Sequence, residues 1–266
     1  MKPLYAWLDE RLVPTSSVAV PADDPGWLVG DALFETMRAS EGRVVRLDAH
    51  LARLEASRLA LAMPAPPVDP RVAIRALLDA HPPSSSDVVV RLTLSARPTL
   101  VVQLRPLAQR ELVRRAGLAL WTLPVRRGES FLARHKSAAW ASNAIQRRLH
   151  HAGTADAFEG LWLDPEGHVL EGTSTNLFAV IDGAVWTPPL SHPILAGTAR
   201  AAAIAALVGA SVEVREAPLT LDAFAAAEAL FATNATLPVA PILSLDGQIR
   251  GGAADALVRR LVAALD

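Results

Sequence analysis

The chain has 266 residues, 51% of them hydrophobic and 20% charged, with a formal net charge of −1 and no cysteine. That composition excludes a disordered or fibrous chain. It also excludes cysteine-based zinc sites, iron–sulfur clusters, thiol nucleophiles and a disulfide scaffold, and a strong basic field for nucleic acid or an acidic membrane. No apolar run reaches the ~18–20 residues of a membrane-spanning helix. Asp9 and Glu10 follow too soon for a signal peptide. The expectation is a cytoplasmic chain with a small-molecule partner and neither nucleic acid nor membrane.

Leu4–Leu8 and Ala32–Ala39 read as strands, and Glu41-Gly42 as a hairpin turn into Arg43–Leu47. Asp48 is expected to cap a helix running to about Ala62, ended by Pro64, Pro66 and Pro67. A second helix is expected over Pro70–Ala80, then paired strands Val88–Ser95 and Thr99–Leu104 around Ala96-Arg97-Pro98. Residues 108–115 read as a linker between a domain of residues 1–107 and one of residues 116–266. The second domain opens with a strand near Leu118–Leu123 and a loop carrying Arg126, Arg127 and Arg134 up to His135-Lys136. A helix is expected over Ser137–His151, with Ala138, Ala141, Ile145 and Leu149 on one face. Phe158–Leu163 and His168–Leu170 flank a type I turn, Asp164-Pro165-Glu166-Gly167. Asn176–Ile181 and Ala184–Trp186 form a hairpin, and Ala196-Gly197-Thr198 opens an alanine-rich helix. Strands near Val212–Val214, Ala229–Ala232 and Val239–Leu243 and a helix over Ala253–Leu265 complete the chain. So many hairpins among helices indicate an α+β fold rather than a doubly wound parallel sheet.

Of the 26 basic residues, 24 are arginine; the lysines are Lys2 and Lys136. Arginine has replaced lysine almost everywhere, so an internal lysine invites a reason that arginine cannot meet. Arginine stays protonated and is a poor nucleophile, whereas lysine can lose its proton and condense with a carbonyl. Near it in sequence stand a carboxylate at the end of a strand, Glu171, and a small-residue turn into a helix, Ala196-Gly197-Thr198; Arg53 lies on an earlier helix. A helix N-terminus favours anions. Amine, carboxylate, helix N-terminus and guanidinium are the groups that pyridoxal 5′-phosphate needs: one for its aldehyde, one for its ring nitrogen and two for its phosphate.

The motifs carry a specific likeness. Gly30 to Arg38, His50 to Ser57, His135-Lys136-Ser137, Leu170-Glu171-Gly172-Thr173-Ser174-Thr175-Asn176-Leu177-Phe178 and Ile194 to Arg200 together resemble the fold type IV pyridoxal-phosphate enzymes, the class IV aminotransferase family. The resemblance covers nearly the whole chain. It implies a two-domain α+β fold with a small N-terminal α/β domain and a larger C-terminal domain with a mixed, barrel-like sheet. It implies a homodimer with the site between the domains and no metal. Carried over residue by residue, it makes Lys136 the catalytic amine and Glu171 the partner of the ring nitrogen. Arg53, Gly197, Thr198 and Ala199 become the phosphate site, and Thr175, Asn176, Asn234 and Ala235 further cofactor contacts. Position 199 is alanine where the family often has threonine, so a hydroxyl contact from there is lost.

Within that family, Ala232 to Ile242 and the segment around Lys136 are most similar to aminodeoxychorismate lyase, which makes 4-aminobenzoate and pyruvate for folate synthesis. Arg38 and Arg97 are the candidates for substrate carboxylates. The glycine- and arginine-rich loop of those lyases is reduced to Ala96-Arg97-Pro98, and Tyr5 is the only tyrosine. The alternative is a fold type IV transaminase acting on branched-chain or D-amino acids or amines. From another class, the arginine excess suggests a non-catalytic anion-binding module. His50 is expected to be a packing residue at a helix start.

Overall fold

Val88–Ser95 alternates apolar and polar side chains, as a strand with one buried face should, and forms the middle of a six-stranded sheet. The computed structural model describes residues 4–81, 87–107, 114, 116–150, 158–249 and 256–265. The chain divides into two units, one of Met1–Leu107 with His135–Trp140 and one of Ala108–Arg134 with Ala141–Asp266. Most of the expected linker (108–113 and 115), His151 and the start of the expected last helix lie outside the described residues.

The first unit contains β1 (Tyr5–Leu8), β2 (Arg11–Pro14), α1 (Pro25–Leu28), β3 (Ala32–Ser40), β4 (Arg43–Val44), α2 (Leu47–Ala60), α3 (Pro70–Asp79), β5 (Val88–Ser95) and β6 (Leu100–Pro106). The strands lie in the order β2-β1-β6-β5-β3-β4, every pair antiparallel. One face carries Leu33, Met37, Val90, Leu92, Leu94, Leu100 and Val102, which pack with Leu54 of α2 and Ala73, Ile74 and Leu77 of α3. Asp69 caps α3, accepting from the Arg71 amide at 2.9 Å, with Pro70 at the first helical position. The expected cap of α2 is corrected: Arg46, at φ 56°, precedes the helix without a side-chain cap. Asp48 instead sits one residue inside the first turn, where its charge still meets the positive helix end, and pairs with Arg71 at 2.7 Å.

The second unit contains β7 (Leu118–Arg126), α4 (Ala141–His150), β8 (Phe158–Leu163), β9 (Val169–Gly172), β10 (Asn176–Ile181), β11 (Ala184–Thr187), α5 (Thr198–Gly209), β12 (Val214–Glu216), α6 (Leu221–Ala226), β13 (Ala229–Thr233), β14 (Ala240–Leu245), β15 (Gln248–Ile249) and α7 (Ala256–Leu265). Its strands form a nine-stranded mixed sheet, β12-β11-β10-β13-β14-β7-β8-β9 with β15 on β14, curled into a half-barrel. β7 runs parallel to both β14 and β8. This mixture of sheets and helices is an α+β fold. No helix among the described residues is long and apolar enough to cross a membrane.

Strand β10, Asn-Leu-Phe-Ala-Val-Ile, is apolar on both faces because both are covered. Leu177 and Ala179 join the cluster inside the curl with Leu118, Leu161, Leu230 and Phe224. Phe178 and Val180 face outward to Ala203 and Leu207 of α5 and Val258 and Leu261 of α7. Phe178 stacks on Phe231 of β13, ring centroids 4.7 Å apart and planes within 4°. Both rings are fully buried. Truncation Phe231→Ala removes the stacked partner and opens a cavity, and should cost about 3–5 kcal/mol, read as a lowered midpoint in denaturant melts.

Candidate active site

Strand alternation sends neighbouring residues of β3 to opposite faces. Glu35 goes to the apolar face with Leu33 and Met37, yet is fully buried. It is satisfied there by α2: His50 Nδ1 donates at 2.7 Å to Oε2, and Arg53 clamps both oxygens, Nε to Oε1 at 2.8 Å and Nη2 to Oε2 at 2.6 Å. His50 and Arg53, three apart on the helix, reach one acceptor side by side. Burial alone would raise the Glu35 pKa, but hydrogen bonds from His50 and Arg53 and the Arg53 charge outweigh it and hold the pKa at about 2. Burial pushes His50 down from its ordinary range, with Arg53 and Lys136 adding to the effect against the pull of Glu35. His50 therefore does more than pack: as a neutral donor to an ionised carboxylate, it helps to orient Arg53.

Phe34 and Thr36 face the other way. Arg91, opposite Thr36 in β5, lays its guanidinium 3.4 Å from the Phe34 ring centroid and donates to Thr36 Oγ1 at 3.3 Å. Burial brings its pKa down to about 10, against the pull of Glu35 and aided by Arg105. Lys136 Nζ lies 4.6 Å from the same ring centroid. Lys136 is here because β4 pairs only the far end of β3, at Ala39 and Ser40. The exposed edge at Ala32–Phe34 takes residues 136–138 instead: Phe34 N donates to Lys136 O at 2.8 Å and Ala138 N to Ala32 O at 2.7 Å. Pairing with β3 keeps this segment extended, which corrects the expected helix over 137–151; it begins at Ala141. His135 Nδ1 meets Ser57 Oγ of α2 at 3.1 Å, fixing the other side of the lysine segment.

In the second unit Glu171, at the end of β9, is buried. Its Oε1 pairs with Arg127 Nη1 at 2.6 Å, and its Oε2 accepts from Leu195 N at 3.0 Å and Asn176 Nδ2 at 3.4 Å. Arg127 is fixed in turn by the Trp162 ring, 4.7 Å from its Cζ, and by Asn143 Oδ1 at 3.3 Å. Asn176 Nδ2 also donates to Leu195 O at 2.9 Å. Gly197 caps α5, and a Cβ there would collide with Asn176 Oδ1; the residue must be glycine for the two segments to approach. Thr198 and Ala199 are the first two helical residues, both buried. Thr175 is buried with its hydroxyl on Glu159 at 3.3 Å. The Asn234 side chain closes its own turn, accepting from Thr236 N at 2.9 Å and Leu237 N at 2.8 Å and donating to Ser174 O at 3.1 Å, with Ala235 inside that turn.

The structure thus groups Lys136 and Arg53 within the first unit and Glu171, Thr175, Asn176, Gly197, Thr198, Ala199, Asn234 and Ala235 within the second. The two expected substrate arginines differ. Arg38 is buried and pairs with Asp87 at 3.2 Å. Arg97 is half-exposed on its loop and pairs with Asp23. Four residues were missed by sequence reasoning: Glu35, Arg91, Arg127 and Glu159. Glu35 carried a usable signal, a carboxylate on the apolar alternation of β3.

The family model for amino-transferase class IV matches residues 32–245. The chain belongs to the class IV aminotransferases. The cofactor of this class IV aminotransferase is pyridoxal 5′-phosphate. It is 28% identical to a putative branched-chain-amino-acid aminotransferase of Methanocaldococcus jannaschii, over 91% of this chain and 88% of that protein. It is 29% identical to a bifunctional aminodeoxychorismate lyase / D-amino acid transaminase of Mycobacterium tuberculosis, over 73% of this chain and 75% of that one. Some other curated relatives are matched over only about half their length, 47% and 49%. A hypothetical aminotransferase from Mycobacterium tuberculosis, solved in a PLP-bound form, shares the fold, with a TM-score of 0.85, 24% identity and 98% of each chain covered.

Each unit holds groups that suit that cofactor: in the first an amine and a clamped guanidinium, in the second a carboxylate fixed by three donors and a helix N-terminus capped where a side chain would not fit. The Glu35 cluster makes a pH prediction. Its pKa lies below the unfolded value of 4.5, so its contribution is present above pH 4.5 and lost as pH falls toward 2. That loss amounts to on the order of 3 kcal/mol. Glu35→Gln should lower stability at pH 7, because the buried Arg53 loses its counter-ion. It should also flatten the decline between pH 4.5 and 2, measured by urea melts across that range.

Proposed function

We propose that this class IV family member is an aminodeoxychorismate lyase, converting 4-amino-4-deoxychorismate to 4-aminobenzoate and pyruvate. The observation that carries this reading is the Phe34 ring with Lys136 Nζ on it at 4.6 Å and the Arg91 guanidinium at 3.4 Å. A proton-transferring amine beside a cation that binds carboxylate suits an acidic substrate with its reacting C–H next to nitrogen. The likeness to a relative named for lyase as well as transaminase activity supports it.

In this reading Lys136 Nζ holds the cofactor's aldehyde carbon. Arg53, oriented by Glu35, would hold the phosphate, a role that the resemblance also gives to the N-terminus of α5 at Gly197, Thr198 and Ala199. Glu171 holds the proton of the ring nitrogen, with Arg127, Leu195 N and Asn176 fixing its carboxylate. Thr175, Asn176, Asn234 and Ala235 complete the pocket wall. Arg91 and Arg38 take the substrate carboxylates, Arg91 in place of Arg97, which is drawn to Asp23 on the surface. When bound, the cofactor supplies a conjugated electron sink for the pair left by a proton removed beside the substrate nitrogen. Lys136 Nζ would remove the ring proton on the carbon bearing nitrogen. The enolpyruvyl C–O bond breaks, the ring becomes aromatic, and Lys136 returns a proton to the departing three-carbon fragment, which leaves as pyruvate. A homodimer and a cytoplasmic location belong to the same proposal.

A transaminase is the second reading, supported by the match to a branched-chain-amino-acid aminotransferase along most of both chains. It would use the same amine to move the proton, and would yield a keto acid rather than an aromatic product. Incubation with aminodeoxychorismate separates the two: 4-aminobenzoate and pyruvate in equal amounts are expected. Loss of the visible cofactor band with D-alanine or L-leucine, and no aromatic product, would favour the transaminase.

Borohydride reduction and peptide mapping should fix the cofactor on Lys136, and Lys136→Ala and Lys136→Arg should both abolish labelling and turnover. Glu171→Gln should still be labelled, with turnover slowed roughly a hundredfold or more. Arg91→Met should raise KM about tenfold or more with a smaller change in kcat, the value of one charged hydrogen bond to substrate.

A further inference from the structure

Among the described residues of the second unit, a heavily bonded carboxylate lies outside the residues assigned to cofactor or substrate. Glu159, in β8, is fully buried. It forms an ion pair with the buried Arg114, and Arg147 of α4 stands 3.7 Å away. The other bonds all come from the turn between β9 and β10. Ser174 N donates at 2.5 Å and Ser174 Oγ at 3.0 Å; the hydroxyls of Thr173 and Thr175 reach it at 3.2 and 3.3 Å. Arg114 and Arg147 also donate to Ser174 Oγ, at 3.2 and 3.3 Å.

The turn is closed as well by Gly172 N on Thr175 O and Thr173 N on Gly160 O, each at 2.8 Å. A Cβ on Gly172 would collide with Thr175 Oγ1 and come within 2.6 Å of Glu159 Oε1. The residue before this turn is Glu171, and the residue after it is Asn176, which donates to Glu171. A shift of the turn therefore moves both groups that meet at the Glu171 carboxylate.

We propose that Glu159 is a positioning residue: by holding the 172–175 turn it sets the pose of Glu171 and Asn176 toward the cofactor ring. Its charge is required as well as its shape, because both arginines meet Oε2 while Ser174 N and the hydroxyls of Thr173 and Thr175 reach Oε1, with the Ser174 hydroxyl bridging the two groups. This inference rests on the cofactor reading above.

The test uses the holoenzyme. Glu159→Gln leaves Arg114 without its counter-ion and can unfold the protein, so it is paired with Glu159→Gln/Arg114→Met, which removes both charges, and with Ser174→Ala, which removes one hydroxyl. The readouts are pyridoxal 5′-phosphate dissociation constant by fluorescence, visible circular dichroism of the bound cofactor, borohydride labelling of Lys136, and the melting temperature. The double variant should melt close to wild type and keep the label on Lys136, while cofactor affinity falls about tenfold and the visible dichroism drops by half or more. Ser174→Ala should move both in the same direction by less. Unchanged affinity and dichroism in the double variant and in Ser174→Ala would overturn the role of Glu159. A wild-type protein that took no label on Lys136 would instead overturn the cofactor assignment, and this inference with it.

Discussion

Strand β3 is constrained from three directions, and the first unit is organised around it. Its apolar face must cover the sheet core, so Leu33 and Met37 point toward α2 and α3. The same face buries Glu35, which can stay there only if α2 supplies donors, and His50 and Arg53 do so. Alternation then forces Phe34 to the opposite face, where Arg91 and Lys136 meet its ring. The open edge at Ala32–Phe34 binds the lysine segment by main-chain hydrogen bonds that any sequence could make. Sheet geometry thus fixes where the lysine backbone runs, and side-chain chemistry fixes what it faces.

The second unit solves a related problem with loops. Glu171 lies near the end of β9, Asn176 opens β10 and Gly197 caps α5, so the segments that join these elements are held by side chains and main-chain amides together. Arg127 and the Leu195 amide fix one carboxylate; the 172–175 turn is closed against another, Glu159. A loop fixed by buried charge–carboxylate pairs is rigid because each unmade bond would leave a desolvated group without a partner. That is the requirement for holding a small rigid ring in one orientation.

Contiguous motifs were legible in the sequence. Lys136, Glu171 through Asn176 and Gly197-Thr198 each lie in a short run whose local chemistry can be read directly, and the strands Val88–Ser95, Phe158–Leu163 and Asn176–Ile181 show their period in their own side chains. The groups that orient those motifs were not legible. Arg127 lies 44 residues from Glu171, and Arg114 lies 45 from Glu159; nothing local to any of them announces the pairing. Arg97 reads from the sequence as a substrate arginine, whereas Arg91, inside β5, gives no such signal. The fold separates them: one sits on a strand face over an aromatic ring, the other on a turn beside Asp23. The helix expected from Ser137 failed for a similar reason. Its apolar spacing is helical, but the edge of β3, more than a hundred residues earlier, offers the same amides a competing set of partners.

Three of the arginines answer buried carboxylates. Glu35, Glu159 and Glu171 are buried carboxylates, and each is met by a guanidinium: Arg53, Arg114 and Arg127. A guanidinium keeps its charge under desolvation and offers a planar fork that fits two carboxylate oxygens, as Arg53 does on Glu35. An ammonium in the same place would lose its proton more readily and hold the carboxylate less firmly. It would also be a second amine able to condense with an aldehyde. Arginine at these three buried ion pairs therefore clamps the acidic residues and, under the proposed function, leaves carbonyl chemistry to the internal amine at position 136.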